Sequence, residues 1–182
     1  MTLESLTSHA EATSSTLNYL LLSVLNLSSS ETLAHAASHL GVSQTFVTLL
    51  RALPYHASKG RMVIPTTMTA RHHINQEEVF RRGPEAHGFE DAVYDFAVEA
   101  NNHLVTAREL FKTNGETRVK VPREAMPVFL GAVRYFCSLY TTIPRIIMHR
   151  FRSRIFCQGW KRLDLTYLIP NCRLEIVCVC RI

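Results

Sequence analysis

Several groupings of side chains in this 182-residue sequence could do chemistry. His35 and His39 stand four apart, so on a helix both imidazoles share one face, as zinc ligands can. No HExxH glutamate accompanies them and no third ligand stands at a recognisable spacing, which leaves a structural or exposed pair. Asp91 and Asp95 repeat that spacing and could in principle chelate Mg²⁺. They open a helix, however, and the positive end of its dipole accounts for carboxylates there. Arg51 with Lys59, Gly60 and Arg61 could contact a phosphate-bearing ligand, against the plainer reading of charge exposed on a loop. Cys172, Cys178 and Cys180 form no CxxC pair and lack a fourth ligand, so the sequence predicts no metal site and no cofactor.

The elements that must position these groups are helical. A first helix reads from Leu3 to Leu27, with Leu17, Leu20, Leu21, Leu22, Val24, Leu25 and Leu27 as a buried face, stopped by Ser28, Ser29 and Ser30. Ser28 with Glu31 has the form of a capping box and opens a second helix. Its face is Leu33, Ala36, Ala37, Leu40, Val47, Leu50 and Leu53, and Pro54 ends it. Residues 55–75 lose this period and read as an irregular crossover with a short helical turn after Pro65. Asn75 with Glu78 caps a short helix closed by Gly83 and Pro84. After Gly88 comes the strongest pattern, Phe89, Ala92, Val93, Phe96, Ala97, Ala100, Leu104, Ala107, Leu110 and Phe111 on one face, terminated by Asn114 and Gly115. Pro122 starts a further helix over 124–133. No alternating strand pattern precedes Val133, so the body is all-α.

Composition divides the chain at that point. Residues 1–133 carry 11 basic and 13 acidic side chains, and residues 134–182 carry 9 basic and 2 acidic ones. All five cysteines follow the cut. An odd count with no hydrophobic leader argues for a reducing compartment and free thiols. There is no Lys or Arg before Arg51, so neither a signal peptide nor an Arg-rich presequence is readable. The basic surplus lies wholly in the tail and does not make the body a nucleic-acid binder. Within that tail, Arg145 to Arg154 with Ile146, Ile147, Phe151 and Ile155 could form a basic amphipathic helix for an anionic lipid surface, and Arg173 to Cys180 alternates like a strand without a partner.

Residues 40–65 read LGVSQTFVTLLRALPYHASKGRMVIP. Leu40, Gly41, Leu49, Leu50, Arg51, Ala57, Gly60, Arg61, Ile64 and Pro65 fall without a gap on the spacing of the squalene and phytoene synthase family, which this sequence resembles over about residues 17–133. The resemblance implies a terpenoid-synthase-like helical bundle, present here in part as domain 1–133, followed by a divergent basic Cys-containing tail, 134–182, of alternative or mispredicted origin. Family enzymes hold Mg²⁺ with two aspartate-rich pairs and so draw off a diphosphate leaving group. At the second pair this sequence has Ala52 and His56, and Thr45 and Thr48 replace a Gln and an Asn. The first pair would precede Met1.

HAASHLG, LLRALPYHASKGR and Pro65 together are most similar to the mitochondrial complex I assembly factor 6 group of that family, in which Pro-Tyr-His, here Pro54, Tyr55 and His56, stands in place of the acidic signature. This implies a non-catalytic protein of the mitochondrial matrix side of the inner membrane, acting in respiratory complex I assembly. Its implied partners are complex I subunits or other assembly factors, with an isoprenoid or lipid ligand and peripheral membrane contact as further options. Arg51, Tyr55, His56, Lys59 and Arg61 are the ligand-binding candidates, and no catalytic residue is assigned. The alternative is a prenyltransferase condensing isoprenyl diphosphates. A chain lacking the family's N-terminal helices is further expected to leave the apolar faces of 17–27, 33–53 and 89–111 open to water, with weak tertiary order.

Overall fold

Three segments of strong helical period dominate the computed structural model, which describes residues 1–111 and 121–130. All of these fall in the first of the chain's two units, Met1–Leu139. Helix α1 (Leu3–Ala10) runs through a π-helical segment (Glu11–Ser15) into α2 (Thr16–Val24). Helix α3 (Glu31–Ser58) follows, then the short α4 (Thr66–Arg71) and α5 (Gln76–Arg82), and the long α6 (Phe89–Glu109). A 3₁₀ turn, Arg123–Ala125, leads into helical residues 126–130. Among the described residues there is no strand, so the all-α expectation holds, and no helix is long and apolar enough to cross a membrane. The strand-like stretch and the basic amphipathic stretch of the tail lie outside the described residues.

Helix α3 is the central element and packs antiparallel on both neighbours. Against α6, His39 meets His103, Ser43 Oγ donates to the Ala100 carbonyl at 2.7 Å, and Phe46 stacks on Phe96 at 5.1 Å between ring centroids. Against the first helical run, Ser14 shares a 2.7 Å hydrogen bond with Thr45, Ser15 Oγ donates to the Ser38 carbonyl, and Asn18 Nδ2 to the Ala37 carbonyl at 3.1 Å. Small residues make these approaches feasible, since Ala36, Ala37 and Gly41 are buried on α3 and Ala92 and Ala100 on α6. The expected faces of α3 and α6 therefore bury each other rather than facing water.

The first helix departs from its expected face. Leu22 is buried, but Leu17, Leu20, Leu21, Val24 and Leu25 are exposed, Val24 to 78%. α2 instead turns Asn18 and Leu22 inward, where Leu22 joins Leu33, Ala37, Ala125 and Val128.

Three boundaries differ for identifiable reasons. The first run stops at Asn26 rather than at the serines, because Asn26 adopts φ +56° and lets the Leu27 and Asn26 amides bond back to the Leu22 and Ser23 carbonyls. The cap of α3 is Ser30, whose hydroxyl accepts from the Leu33 amide, rather than Ser28. Pro54 lies inside α3, which continues to Ser58. Its cost is confined to one missing bond to the Leu50 carbonyl and a ring clash there, which the helix absorbs. Asn75 caps α5 as expected, by accepting from the Glu77 amide.

Asp95 does not pair with Asp91 for a metal. It accepts from His72 Nε2 at 2.9 Å and Arg71 Nη1 at 3.1 Å, tying α4 to α6, while Asp91 is exposed. The His72 hydrogen bond holds its carboxyl below the ordinary carboxylate range, against the opposing effect of burial and with help from Arg71.

Candidate functional site

The five ligand-binding candidates gather at the C-terminal end of α3. Arg51, Tyr55 and Lys59 follow one another at intervals of four along one helix face, His56 stands one turn beyond Ala52, and Arg61 follows the turn at Gly60. All are exposed apart from the half-buried His56, and Tyr55 is 64% exposed with its ring edge-on to His56 at 5.6 Å. Among the described residues none of the three cations has an ion pair. The arrangement is an open basic patch.

Local chemistry builds this end. Gly60 sits at φ +66°, the Arg61 amide donates to the His56 carbonyl and the Gly60 amide to the Ala57 carbonyl, both at 2.9 Å. This is the Schellman geometry, which satisfies the last carbonyls and turns Arg61 back beside the helix end. That end carries the negative pole of the helix dipole, so the cations first offset it, and an anionic ligand would draw on the charge that remains. Residue 60 has open space where a side chain would go, so the cost of replacing it lies in the backbone alone. Gly60→Ala is expected to lower stability by about 1 kcal/mol, read as a reduced urea midpoint. An unchanged midpoint would mean that the turn contributes nothing.

A second constellation joins side chains far apart in the sequence. His35 Nε2 lies 3.2 Å from His39 Nε2, and His39 Nδ1 lies 2.9 Å from His103 Nδ1. His103 Nε2 is 3.9 Å from Glu99 Oε1, and the His103 and Phe46 rings stand perpendicular to each other. Beside them Glu11 accepts from Ser38 Oγ and, at 3.2 Å, from the Tyr19 hydroxyl. Spacing placed His35 and His39 on one face; His103 comes from α6, 64 residues further along, and no local signal joins it to them. Its position opposite His39 follows only from the antiparallel register of α3 and α6.

Burial holds His39 and His103 below the ordinary histidine pKa, His39 further through its histidine neighbours, with Glu11 opposing at both and Glu99 at His103. A histidine whose folded pKa is depressed binds more protons when unfolded, so stability is full above the unfolded value and falls as pH drops through it. The urea midpoint is accordingly expected to fall between about pH 7.5 and about pH 5. His103→Asn should flatten that dependence; an unaltered slope would place it elsewhere.

A shallow depression lined by Asn75, Glu77, Glu78, Arg81 and Arg82 shares no residue with either constellation, and its charges are spent in the pairs Arg81–Glu77 and Arg82–Glu78.

The pattern that defines the squalene/phytoene synthase family matches residues 1–161. The chain belongs to that family. Its fold is accordingly the family's helical, terpenoid-synthase-like one. NADH dehydrogenase (ubiquinone) complex I, assembly factor 6 of Rattus norvegicus is 40% identical over 128 residues, 70% of this chain and 36% of its own length. The Homo sapiens protein of the same name is 38% identical over 131 residues, 72% of this chain and 37% of its own. The Dictyostelium discoideum homolog is 30% identical over 129 residues, 71% and 34% respectively. The chain thus spans about a third of the length of the curated relatives it matches. No solved structure matches.

Within this squalene/phytoene synthase framework the magnesium set implied by the resemblance does not fit α3. Ala52 offers no donor atom, and His56 offers one imidazole to a cation that prefers oxygen. Among the described residues no group of three or more His, Cys, Asp or Glu is arranged to hold a metal.

Proposed function

We propose that this chain is a non-catalytic squalene/phytoene-synthase-like protein acting in assembly of mitochondrial respiratory complex I. The observation that carries the reading is the absence of a carboxylate at both Ala52 and His56, one turn apart on α3, beside a cationic end formed by Arg51, Lys59 and Arg61. Without carboxylates at these two positions the C-terminal end of α3 has nothing to bring Mg²⁺ to a diphosphate leaving group, whereas the surface that would face an anion is present. Relatives named as complex I assembly factors support the biological setting. On this reading the protein works on the matrix side of the inner membrane. Its partners are complex I subunits or other assembly factors, and the basic patch with Tyr55 and His56 takes the phosphate of an isoprenoid or lipid headgroup.

Two measurements test it. Cells lacking the protein are expected to lose assembled complex I on native gels, and normal levels would overturn the assembly role. Purified protein incubated with farnesyl or geranylgeranyl diphosphate and Mg²⁺ is expected to release no pyrophosphate, and turnover would establish the prenyltransferase alternative instead.

A further inference from the structure

We propose that His35 and His39 form an open binding site for a borderline divalent transition ion such as Zn²⁺ or Ni²⁺, with His103 as the group that orients His39. The separation is the first reason. Two nitrogens bound to one tetrahedral ion at 2.0–2.1 Å stand about 3.3 Å apart, and His35 Nε2 and His39 Nε2, which share one proton in a 3.2 Å hydrogen bond, already stand at that separation, so that an ion would take the place of the shared proton. One turn of α3 sets that distance, since both rings rise from the same face of the helix.

The second reason is the support behind the pair. A ligating Nε2 must be bare, so the proton of His39 resides on Nδ1. There it finds His103 Nδ1 at 2.9 Å, and the remaining proton of His103 then lies on Nε2, on the side of Glu99. Ring orientation and tautomer are thereby fixed from α6, as metal-binding histidines are fixed by the partner of their second nitrogen. His103 is half-buried and its ring is held edge-on by Phe46, whereas His35 is exposed, so the ion would sit at the surface with a braced ligand on its inner side.

Because no third protein ligand is in place among the described residues, the remaining coordination positions go to water or to a donor from another molecule. Imidazole nitrogens select zinc, nickel or copper over magnesium and calcium. This site is therefore chemically distinct from the diphosphate chemistry of the family.

Calorimetric titration of the full, untagged chain with Ni²⁺ tests the proposal. The five cysteines of the tail are present in every variant, so their contribution is common to all. His35→Ala removes an exposed ligand without touching the core and is expected to weaken this binding at least tenfold, while His87→Ala leaves it unchanged. Wild-type affinity in His35→Ala would overturn the site. His103→Leu is expected to weaken binding about tenfold or more, and His103→Asn, which keeps a polar atom near the Nδ1 position, to recover it. Unchanged binding in His103→Leu would reduce the pair to an incidental surface chelate and defeat the proposal.

Discussion

Replacing Gly41 by alanine is expected to lower the stability of this protein by about 2 kcal/mol or more, although alanine is the better helix former by about 1 kcal/mol. The sign is set by what lies opposite. A Cβ at position 41 would stand 2.4–2.6 Å from Oγ, N and Cα of Ser15. Two of those atoms are backbone, held in the π-helical segment, so no rotamer change relieves the clash and the two helices must separate. Separation would loosen the Ser15 hydroxyl's bond to the Ser38 carbonyl and the Asn18 amide's bond to the Ala37 carbonyl, both at 3.1 Å. Urea denaturation of the variant reads the loss directly, and a midpoint at or above wild type would mean that the helices do not approach this closely.

Phe46→Ala should cost still more, about 3–5 kcal/mol, because a fully buried aromatic leaves a cavity that its surroundings fill only partly. Phe46 has no exposed surface, stacks on the equally buried Phe96 and meets His103 edge-on at 5.7 Å. Water entering that space would ease the burial that depresses His103, so its pKa in the variant should move up towards the ordinary value. Proton-detected titration of the imidazole alongside denaturation separates the two effects. A loss of stability near 1 kcal/mol would show that the α3–α6 seam closes over the gap.

Much of this fold could be read because its signals are local. α6 announces itself through Gly88, which turns at φ +72°, and through an uninterrupted apolar period ending in Ala107. Asn75 caps α5 for the same kind of reason, a side chain bonding two residues ahead. Pro54 misleads because its penalty is one missing amide and one clash with the Leu50 carbonyl, a local cost that α3 carries while continuing four residues further to Ser58. Ser28 and Ser30 are equally good caps by type, and the choice between them rests on where Asn26 ends the preceding run. At the candidate site, Arg51, Tyr55, His56, Lys59 and Arg61 were legible as one cluster because a single helix carries most of them. The His39–His103 contact was not, since it depends on the register between two helices, which neither sequence segment contains by itself.

The π-helical segment has a consequence for the phase of everything after it. Its rings close from the Thr16 amide to the Glu11 carbonyl, five residues back, so the run holds one residue more than an α-helix of the same advance. Counting on from Leu6 and Ala10 at the α-helical period would aim 14, 17 and 21 at α3; the buried positions are Ser15, Asn18 and Leu22, each one place later. One residue is about 100° of rotation, enough to carry Leu17, Leu21 and Val24 out of the interior. A hydroxyl and an amide thereby take the inward places and bond to carbonyls of α3, while the leucine stripe is delivered to the outside. Deleting a single residue between 11 and 15 would reverse that exchange, so the outer character of α2 is set by a count of residues rather than by their kind.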